Sequence, residues 1–239
     1  MTNFTRPTII RRARVIDKIL AVKYGPKSLV RRSEPTSELI CTILSQNTND
    51  INRDKAFAGL RRRFPSWRDV AGARPNEIAK AIKVGGLSKI KSARIKNILS
   101  QIAEKSSDLT LSFLESMPDN EIWDYLISFK GVGPKTASCV LLFSLGRHAM
   151  PVDTHVHRVG RRLGLIPEKL NPEKAHHWFL QLNLPLNIYQ LHINMIWHGR
   201  QLCRPRNPKC PPCPLKKMCL YYRQNPPQEK GREIKRLVI

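Results

Sequence analysis

Apolar residues recur along most of this chain at the three- and four-residue spacing that places them on one face of an α-helix. The first run, Val15 to Leu20, stops at Gly25-Pro26, a common helix terminus, and a second run follows at 39–44. Long alternating β patterns are absent from the sequence, so we predict an all-α protein. Further helices are predicted over residues 51–63, 76–82, 88–104, 119–129, 135–145, 156–163, 172–181 and 189–198.

Length and apolar content indicate an ordinary globular protein. The chain has 239 residues, 41% of them hydrophobic, which is enough for one large domain or two small ones. The most apolar stretch, 139–145, is much shorter than the ~18 to 20 residues that span a bilayer. The basic first 35 residues lack an apolar signal core, so we expect a cytoplasmic protein and keep an organelle transit peptide as the alternative.

Charge gives the first indication of a partner. Lysines and arginines number 42 against 18 acidic residues, a formal net charge of +24 with a pI near 10.4. Residues 1–35 contribute +7, residues 200–239 contribute +9, and the 164 residues between them contribute +8. Ends that met in space would form a cationic face for a polyanion. The alternative is a solvated basic surface without a dedicated ligand.

Four cysteines form the strongest local motif. Cys203, Cys210, Cys213 and Cys219 follow the pattern C-x6-C-x2-C-x5-C within seventeen residues. Closely spaced thiols suit a structural zinc ion, a disulfide pair or a [4Fe-4S] cluster. A basic chain without a secretory signal disfavours disulfides, and the spacing leaves zinc and iron open. The other thiols, Cys41 and Cys139, lie in apolar stretches and are predicted to be core residues.

A glycine-containing turn, Lys130 to Ala137, separates two predicted helices. Gly131 and Gly133 allow close approach of the backbone to a phosphate, although the same pattern also fits a plain helix corner. Lys135 opens the second helix. There the helix dipole and a dry cleft would favour the neutral amine that a nucleophilic lysine needs, whereas a solvated charge is the simpler interpretation.

A third motif runs from Val152 to Arg158, and its Asp153 lies eighteen residues after Lys135. Asp153 suits the N-cap of the next helix, and it is also a candidate carboxylate for a reaction at Lys135. His155 and His157 lack enough neighbouring ligands for a metal site and are interpreted as ordinary polar residues.

In this order the motifs resemble the endonuclease III branch of the helix-hairpin-helix DNA glycosylases, over about residues 10 to 220. Leu44 to Asp50 resembles the family's LSxQ-type segment, Lys130 to Ala137 its hairpin, and Val152 to Arg158 its VDTHxxR segment. His198-Gly199-Arg200 then leads into the family's cysteine spacing. The resemblance implies a six-helix domain, 28–147, against a domain built from 1–27 and 148–223. A basic tail, 224–239, follows.

The resemblance also implies roles for single residues. Lys135 matches the Schiff-base lysine, Asp153 the catalytic aspartate, and the four motif cysteines the ligands of a [4Fe-4S] cluster. Arg204, Arg206 and Lys209 become expected phosphate contacts, with general solubility as their alternative. Either Gln46 or Asn47 would fill the gap left by a flipped base, and Leu87 would wedge into the opposite strand. This chain has LSQNTND where the family typically has LSAQATD, and the segment after Leu87 also diverges.

The implied activity is excision of a damaged base, expected to be an oxidised pyrimidine, followed by β-elimination through a lysine Schiff base. The expected partner is double-stranded DNA with damaged bases or abasic sites, bound by a nucleoid-associated monomer. One alternative is a monofunctional glycosylase for adenine or for mismatched thymine or uracil, which usually lacks a lysine at position 135. The other is a non-catalytic helix-hairpin-helix DNA-binding protein.

Overall fold

The computed structural model describes residues 5–29 and 33–226, and within these ranges the chain is helical and contains no β-strand. None of these helices combines the length and the apolar composition needed to cross a membrane. The predicted tail, 224–239, lies outside the described residues from position 227 onward. The α-helices are α1 (Arg6–Tyr24), α2 (Pro35–Ser45), α3 (Asp50–Arg63), α4 (Trp67–Gly72), α5 (Pro75–Ala81), α6 (Ser88–Ala103), α7 (Asp119–Ser128), α8 (Pro134–Cys139), α9 (Thr154–Arg162), α10 (Pro172–Leu182), α11 (Ile188–Gln201) and α12 (Leu220–Gln224).

Several helices begin at a residue whose side chain caps the first turn. Side-chain oxygens of Asn49, Asn171 and Asn187 accept backbone N–H groups at the starts of α3, α10 and α11. The short helix α4 was not predicted, although its capping box of Ser66 and Asp69 is visible in the sequence.

The apolar side chains form two cores. The central core is built from residues between Leu39 and Ala149. The terminal core joins α1 to part of residues 139–143 and to the chain from Met150 onward, including the cysteine segment. Arg12 of α1 also donates its Nε–H to the Leu163 carbonyl at 2.9 Å. The two basic ends therefore pack together, while the predicted domain boundaries stay predictions.

The helix predicted over 135–145 is wrong as a single α-helix. It is α-helical to Cys139 and continues as a π-helix, Val140–Ser144, in which Leu145 N–H bonds to the Val140 carbonyl at 3.2 Å. Residues on this segment pack alternately into both cores: Val140 and Leu141 into the central core, Cys139 and Phe143 into the terminal core. A π turn holds an extra residue and therefore rotates the following side chains about the helix axis. This segment thus connects the two cores.

Candidate active site and cysteine cluster

A cleft of about 520 Å³ lies between helices of the two cores. Residues of α2 and α3 line it together with residues of α8 and α11. Lys135 and Asp153, eighteen residues apart in the sequence, both line it. The tertiary structure therefore brings the two predicted catalytic residues into one cavity.

Lys135 occupies the first turn of α8, directly after the hairpin. Gly131 has φ 89°, a left-handed conformation that reverses the chain, and Pro134 begins the helix. The Lys135 side chain is exposed. The dry environment predicted for this amine is therefore wrong for the protein alone, because the cleft is open to solvent at this point.

Asp153 is the N-cap of α9, as the simpler interpretation predicted. Its Oδ1 accepts the backbone N–H of Val156 at 2.7 Å, and the residue is half-buried. Capping and lining the cleft are compatible, because the cap bond fixes one carboxylate oxygen and thereby orients the other. Among the described residues, Oδ2 of Asp153 has no hydrogen-bond donor.

His176 holds the segment before Asp153, a role that the sequence did not indicate. Its Nε2 accepts the backbone N–H of Val152 at 2.9 Å, and its Nδ1 donates to the Pro172 carbonyl at 2.9 Å. These two bonds define a neutral tautomer. Burial lowers the pKa of His176 to about 4, and the ring is 2% exposed. A neutral imidazole of fixed orientation thus anchors the peptide next to the candidate carboxylate.

The α11 wall of the cleft carries Trp197, whose side chain is 46% exposed. Among the described residues, it is the only exposed Phe, Tyr or Trp. Farther along α11, Arg200 Nη2 pairs with Asp50 Oδ2 of α3 at 3.2 Å, which links these two helices. Cys41 also lines the cleft and is only partly buried. Its assignment to the core is therefore wrong, because its side of α2 faces this cavity.

The two candidate gap-filling amides differ in their surroundings. Gln46 donates its Nε2–H to the Gly131 carbonyl at 3.1 Å and accepts Arg94 Nη1–H on Oε1 at 2.7 Å. Asn47 is exposed and has φ 54°. The Gln46 amide is therefore occupied within the protein, whereas Asn47 projects from the α2–α3 turn.

Leu87 also projects from a turn. It precedes α6 with φ 49° and is 50% exposed, which suits a wedge. A Cβ added at Gly131 would lie 2.6 Å from Nε of the flexible Arg94 side chain, which would have to shift, and the φ of 89° itself favours glycine at this position. A Cβ at Gly133 would meet no atom within 4 Å. The predicted DNA contacts of these residues stay predictions.

The four motif cysteines line one small cavity together with Leu163 and Leu202. All four are free thiols. Burial raises the pKa of Cys213 to about 11 and also raises the pKa of Cys210 and Cys219. Buried thiols of this kind become thiolate ligands when a metal centre supplies positive charge. In the described ranges, no three His, Cys, Asp or Glu side chains are grouped closely enough for a single metal ion.

Comparisons with known proteins agree with this arrangement. A model of the HhH-GPD superfamily of base excision DNA repair proteins matches residues 40–182. Endonuclease III of Thermotoga maritima is 34% identical over 195 residues, which are 81% of this chain and 86% of the relative. The chain belongs to the endonuclease III family.

One solved structure supports the fold, and one further relative matches only part of its length. A non-covalent endonuclease III–DNA complex has 25% identity and a TM-score of 0.72, covering 92% of this chain and 98% of that one. A candidate DNA glycosylase of Arabidopsis thaliana is 42% identical over 138 residues, 58% of this chain. The chain spans about half (47%) of that plant protein. By fold and sequence, the chain is thus a member of the HhH-GPD superfamily of base excision DNA repair proteins.

In this endonuclease III family member, polar side chains also surround the cysteine cavity. Arg162 donates Nη1–H to Cys203 Sγ at 3.3 Å, and its guanidinium lies 4.1 Å from the centre of the Tyr221 ring. His198 Nε2 lies 3.7 Å from Cys213 Sγ, and its Nδ1 lies 3.1 Å from the Tyr24 hydroxyl. Neither Arg162 nor His198 was predicted to lie here, because helix periodicity does not indicate contacts with a distant loop.

The loop between the first two cysteines is held through its backbone carbonyls. Arg162 donates to the carbonyls of Arg204 and Pro205, at 2.8 and 3.2 Å. The side chains of Arg204, Arg206 and Lys209 are exposed. The structure therefore anchors the loop from inside and leaves three cationic groups available at the surface.

Proposed function

We propose that this endonuclease III family protein is a bifunctional DNA glycosylase and AP lyase. It would remove a damaged base, with oxidised pyrimidines as the expected class, from double-stranded DNA and then cut the strand by β-elimination. The observation that carries the proposal is the presence of an exposed amine, Lys135, and a fixed carboxylate, Asp153, in one cleft. A lysine nucleophile with a supporting carboxylate is what imine chemistry requires.

A base inside a duplex is out of reach of Lys135, so the nucleotide must be swung out into the cleft. Trp197 supplies an exposed aromatic face there, and a flat base stacks favourably on such a face. Asn47 is the better candidate for filling the vacated space, because the Gln46 amide is already engaged. Leu87 would wedge into the strand opposite the extruded nucleotide.

The neutral amine of Lys135 attacks C1′ of the sugar. The N–C1′ bond forms while the bond from C1′ to the base breaks, and the base leaves with the electron pair and takes up a proton. The C1′-bound amine then loses a proton, the C1′–O4′ bond breaks as O4′ takes up a proton, and the nitrogen lone pair forms the protonated imine that joins Lys135 to C1′. The imine acidifies the C2′ proton. Loss of that proton expels the 3′ phosphate and breaks the strand.

Asp153 would support this sequence without bonding to the sugar. Its carboxylate can stabilise the positive charge that develops on the sugar, or accept a proton from the lysine ammonium. The cap bond from Val156 to Oδ1 leaves Oδ2 as the oxygen available for either role.

We further propose that the cysteines 203, 210, 213 and 219 hold a [4Fe-4S] cluster. Four free thiols lining one cavity supply the ligands that such a cluster needs, and membership of the endonuclease III family favours iron over zinc. When bound, the cluster would hold the exposed loop of Arg204, Arg206 and Lys209 in place for phosphate contacts. Neither base excision nor β-elimination transfers electrons, so its contribution would be structural or DNA-sensing.

Borohydride trapping tests the lyase. The unmodified protein, mixed with a duplex containing one abasic site, should yield a covalent protein–DNA species after reduction of the imine. Lys135→Gln should abolish this species and retain DNA affinity, because one charge among many phosphate contacts is a small loss. Lys130→Gln is the matched control, since Lys130 is an exposed lysine at the other end of the same hairpin and should trap normally.

The other outcomes identify the alternatives. Base release without trapping would indicate a monofunctional glycosylase, and abundant trapping by Lys135→Gln would move the nucleophile to another amine. DNA binding with neither reaction would indicate a non-catalytic protein. Asp153→Asn should slow the chemistry with Lys135 still present.

A further inference from the structure

Two exposed side chains project from separate turns in the same unusual backbone conformation. Asn47 follows α2 with φ 54°, and Leu87 precedes α6 with φ 49°. Residues other than glycine seldom adopt this left-handed region, and they keep it only where the surrounding structure fixes it. Each of the two turns must therefore be held by its surroundings.

Lys91 has a side chain that is 1% exposed although it carries an amine. Its Nζ donates to the carbonyls of Leu44 and Gly85, each at 2.8 Å. Leu44 lies three residues before Asn47, and Gly85 lies two residues before Leu87. One buried ammonium thus connects the last turn of α2, which leads into Asn47, to the short 3-10 turn Lys83–Gly85, which leads into Leu87. Burial of such a group is tolerated only with good hydrogen-bond partners, so both carbonyls are held firmly.

The same helix reaches a third element one turn later. Arg94 donates to Gln46 Oε1, and Gln46 Nε2 donates to the Gly131 carbonyl of the hairpin. Helix α6 therefore carries Leu87 at its start and connects, through Lys91 and Arg94, to the Asn47 turn and to the hairpin.

We propose that Lys91 is a positioning residue that holds Asn47 and Leu87 as a fixed pair, so that both enter the duplex together when a nucleotide is swung out. The inference rests on the proposed function, because it assigns the pair to base extrusion. Two turns that moved independently would have to be ordered during binding, whereas a fixed pair meets the duplex already in place.

Lys91→Met tests the proposal, because methionine keeps an unbranched side chain and loses the donors. With a duplex containing thymine glycol, single-turnover base release should fall at least about tenfold. Cleavage at a preformed abasic site should fall less than about threefold, since extrusion without a base is easier. Lys96→Met is the matched control: Lys96 lies on the same helix and donates to the Ala73 carbonyl at 2.7 Å, away from both turns. It should leave both rates unchanged.

A binding measurement separates this inference from the chemistry. With a tetrahydrofuran abasic analogue placed opposite 2-aminopurine, the unmodified protein should raise the fluorescence by unstacking that base. Lys91→Met should reduce the rise at saturating protein, and Lys96→Met should not. This signal needs no reaction, so it tests Lys91 even if the lyase proposal fails.

A double-mutant cycle with Leu87→Ala decides whether Lys91 acts through the wedge. Lys91→Met should cause a smaller loss in the Leu87→Ala background than in the unmodified protein, because one of the two side chains that it positions is already gone. Equal losses on the thymine glycol and abasic duplexes, or a full additional loss in the Leu87→Ala background, would overturn the proposal. If Lys91→Met does not fold, Lys91→Gln keeps an uncharged NH2 donor group on a shorter side chain and should show the same pattern more weakly.

Discussion

Val152 donates its backbone N–H to Nε2 of His176 at 2.9 Å, and this bond fixes the peptide immediately before Asp153. Burial lowers the pKa of His176 to about 4. The unfolded chain binds the same proton near pH 6.5, so unfolding takes up a proton between these two values. The free energy of unfolding should therefore be fully retained above about pH 6.5 and should fall as the pH drops towards 4.

We expect His176→Gln to reduce this dependence by up to about 3 kcal/mol over that window, because glutamine does not titrate there. Denaturant unfolding at a series of pH values measures it. Part of the dependence should remain, since burial also lowers the pKa of His198 to about 4. His177→Gln is the control, because His177 is exposed. An unchanged slope in His176→Gln would contradict the assignment.

Metal content tests the cysteine site. Protein purified without oxygen should contain about four irons per chain and absorb broadly near ~400 nm, as a Cys₄ [4Fe-4S] cluster does. Cys213→Ser should lose iron, whereas Cys41→Ser should keep it, because Cys41 lies in the other cleft. Stoichiometric zinc without iron would show that the family resemblance misleads at this site.

Salt dependence tests the exposed loop. Changing Arg204, Arg206 and Lys209 together to glutamine should weaken binding to any duplex and flatten the slope of log affinity against log salt by up to about 3. Lesion preference should change little. The matched control changes three exposed cationic residues that line neither the cleft nor the cysteine cavity to glutamine: Arg62, Arg63 and Lys80. Equal effects from the two triple variants would mean that the loop makes no specific contact with the DNA phosphates.

Trp197 should affect the rate of base release and should not affect strand cleavage at a preformed abasic site. Loss of one stacking contact in Trp197→Ala should lower base release roughly 10- to 100-fold. Strand cleavage at a preformed abasic site should remain, since no base is present to stack. Trp197→Phe keeps an aromatic face and should restore most of the rate. Equal loss on both substrates would place Trp197 outside base recognition.

The fold class and most helix positions could be predicted because they depend on local chemistry. Helical periodicity, caps and turn glycines act within a few residues, so the all-α class and most helix positions follow from the sequence. The split of the 135–145 helix was not predictable, because it depends on two cores meeting at Val140 and Cys139. Cys41 was misassigned for a similar reason, since an apolar neighbourhood in sequence does not reveal which side of a helix faces a cleft.

The sequence by itself determined the order of motifs, the excess of positive charge at both ends and the identity of the candidate nucleophile. Only the tertiary structure decided that Lys135 and Asp153 share a cleft and that Lys91 joins two exposed turns. It also decided that the Gln46 amide is engaged while Asn47 projects. These are hydrogen bonds and contacts between residues far apart in the chain, as for Gln46 and Gly131, 85 residues apart. Such contacts have no periodicity in sequence, and they form only once the helices have packed.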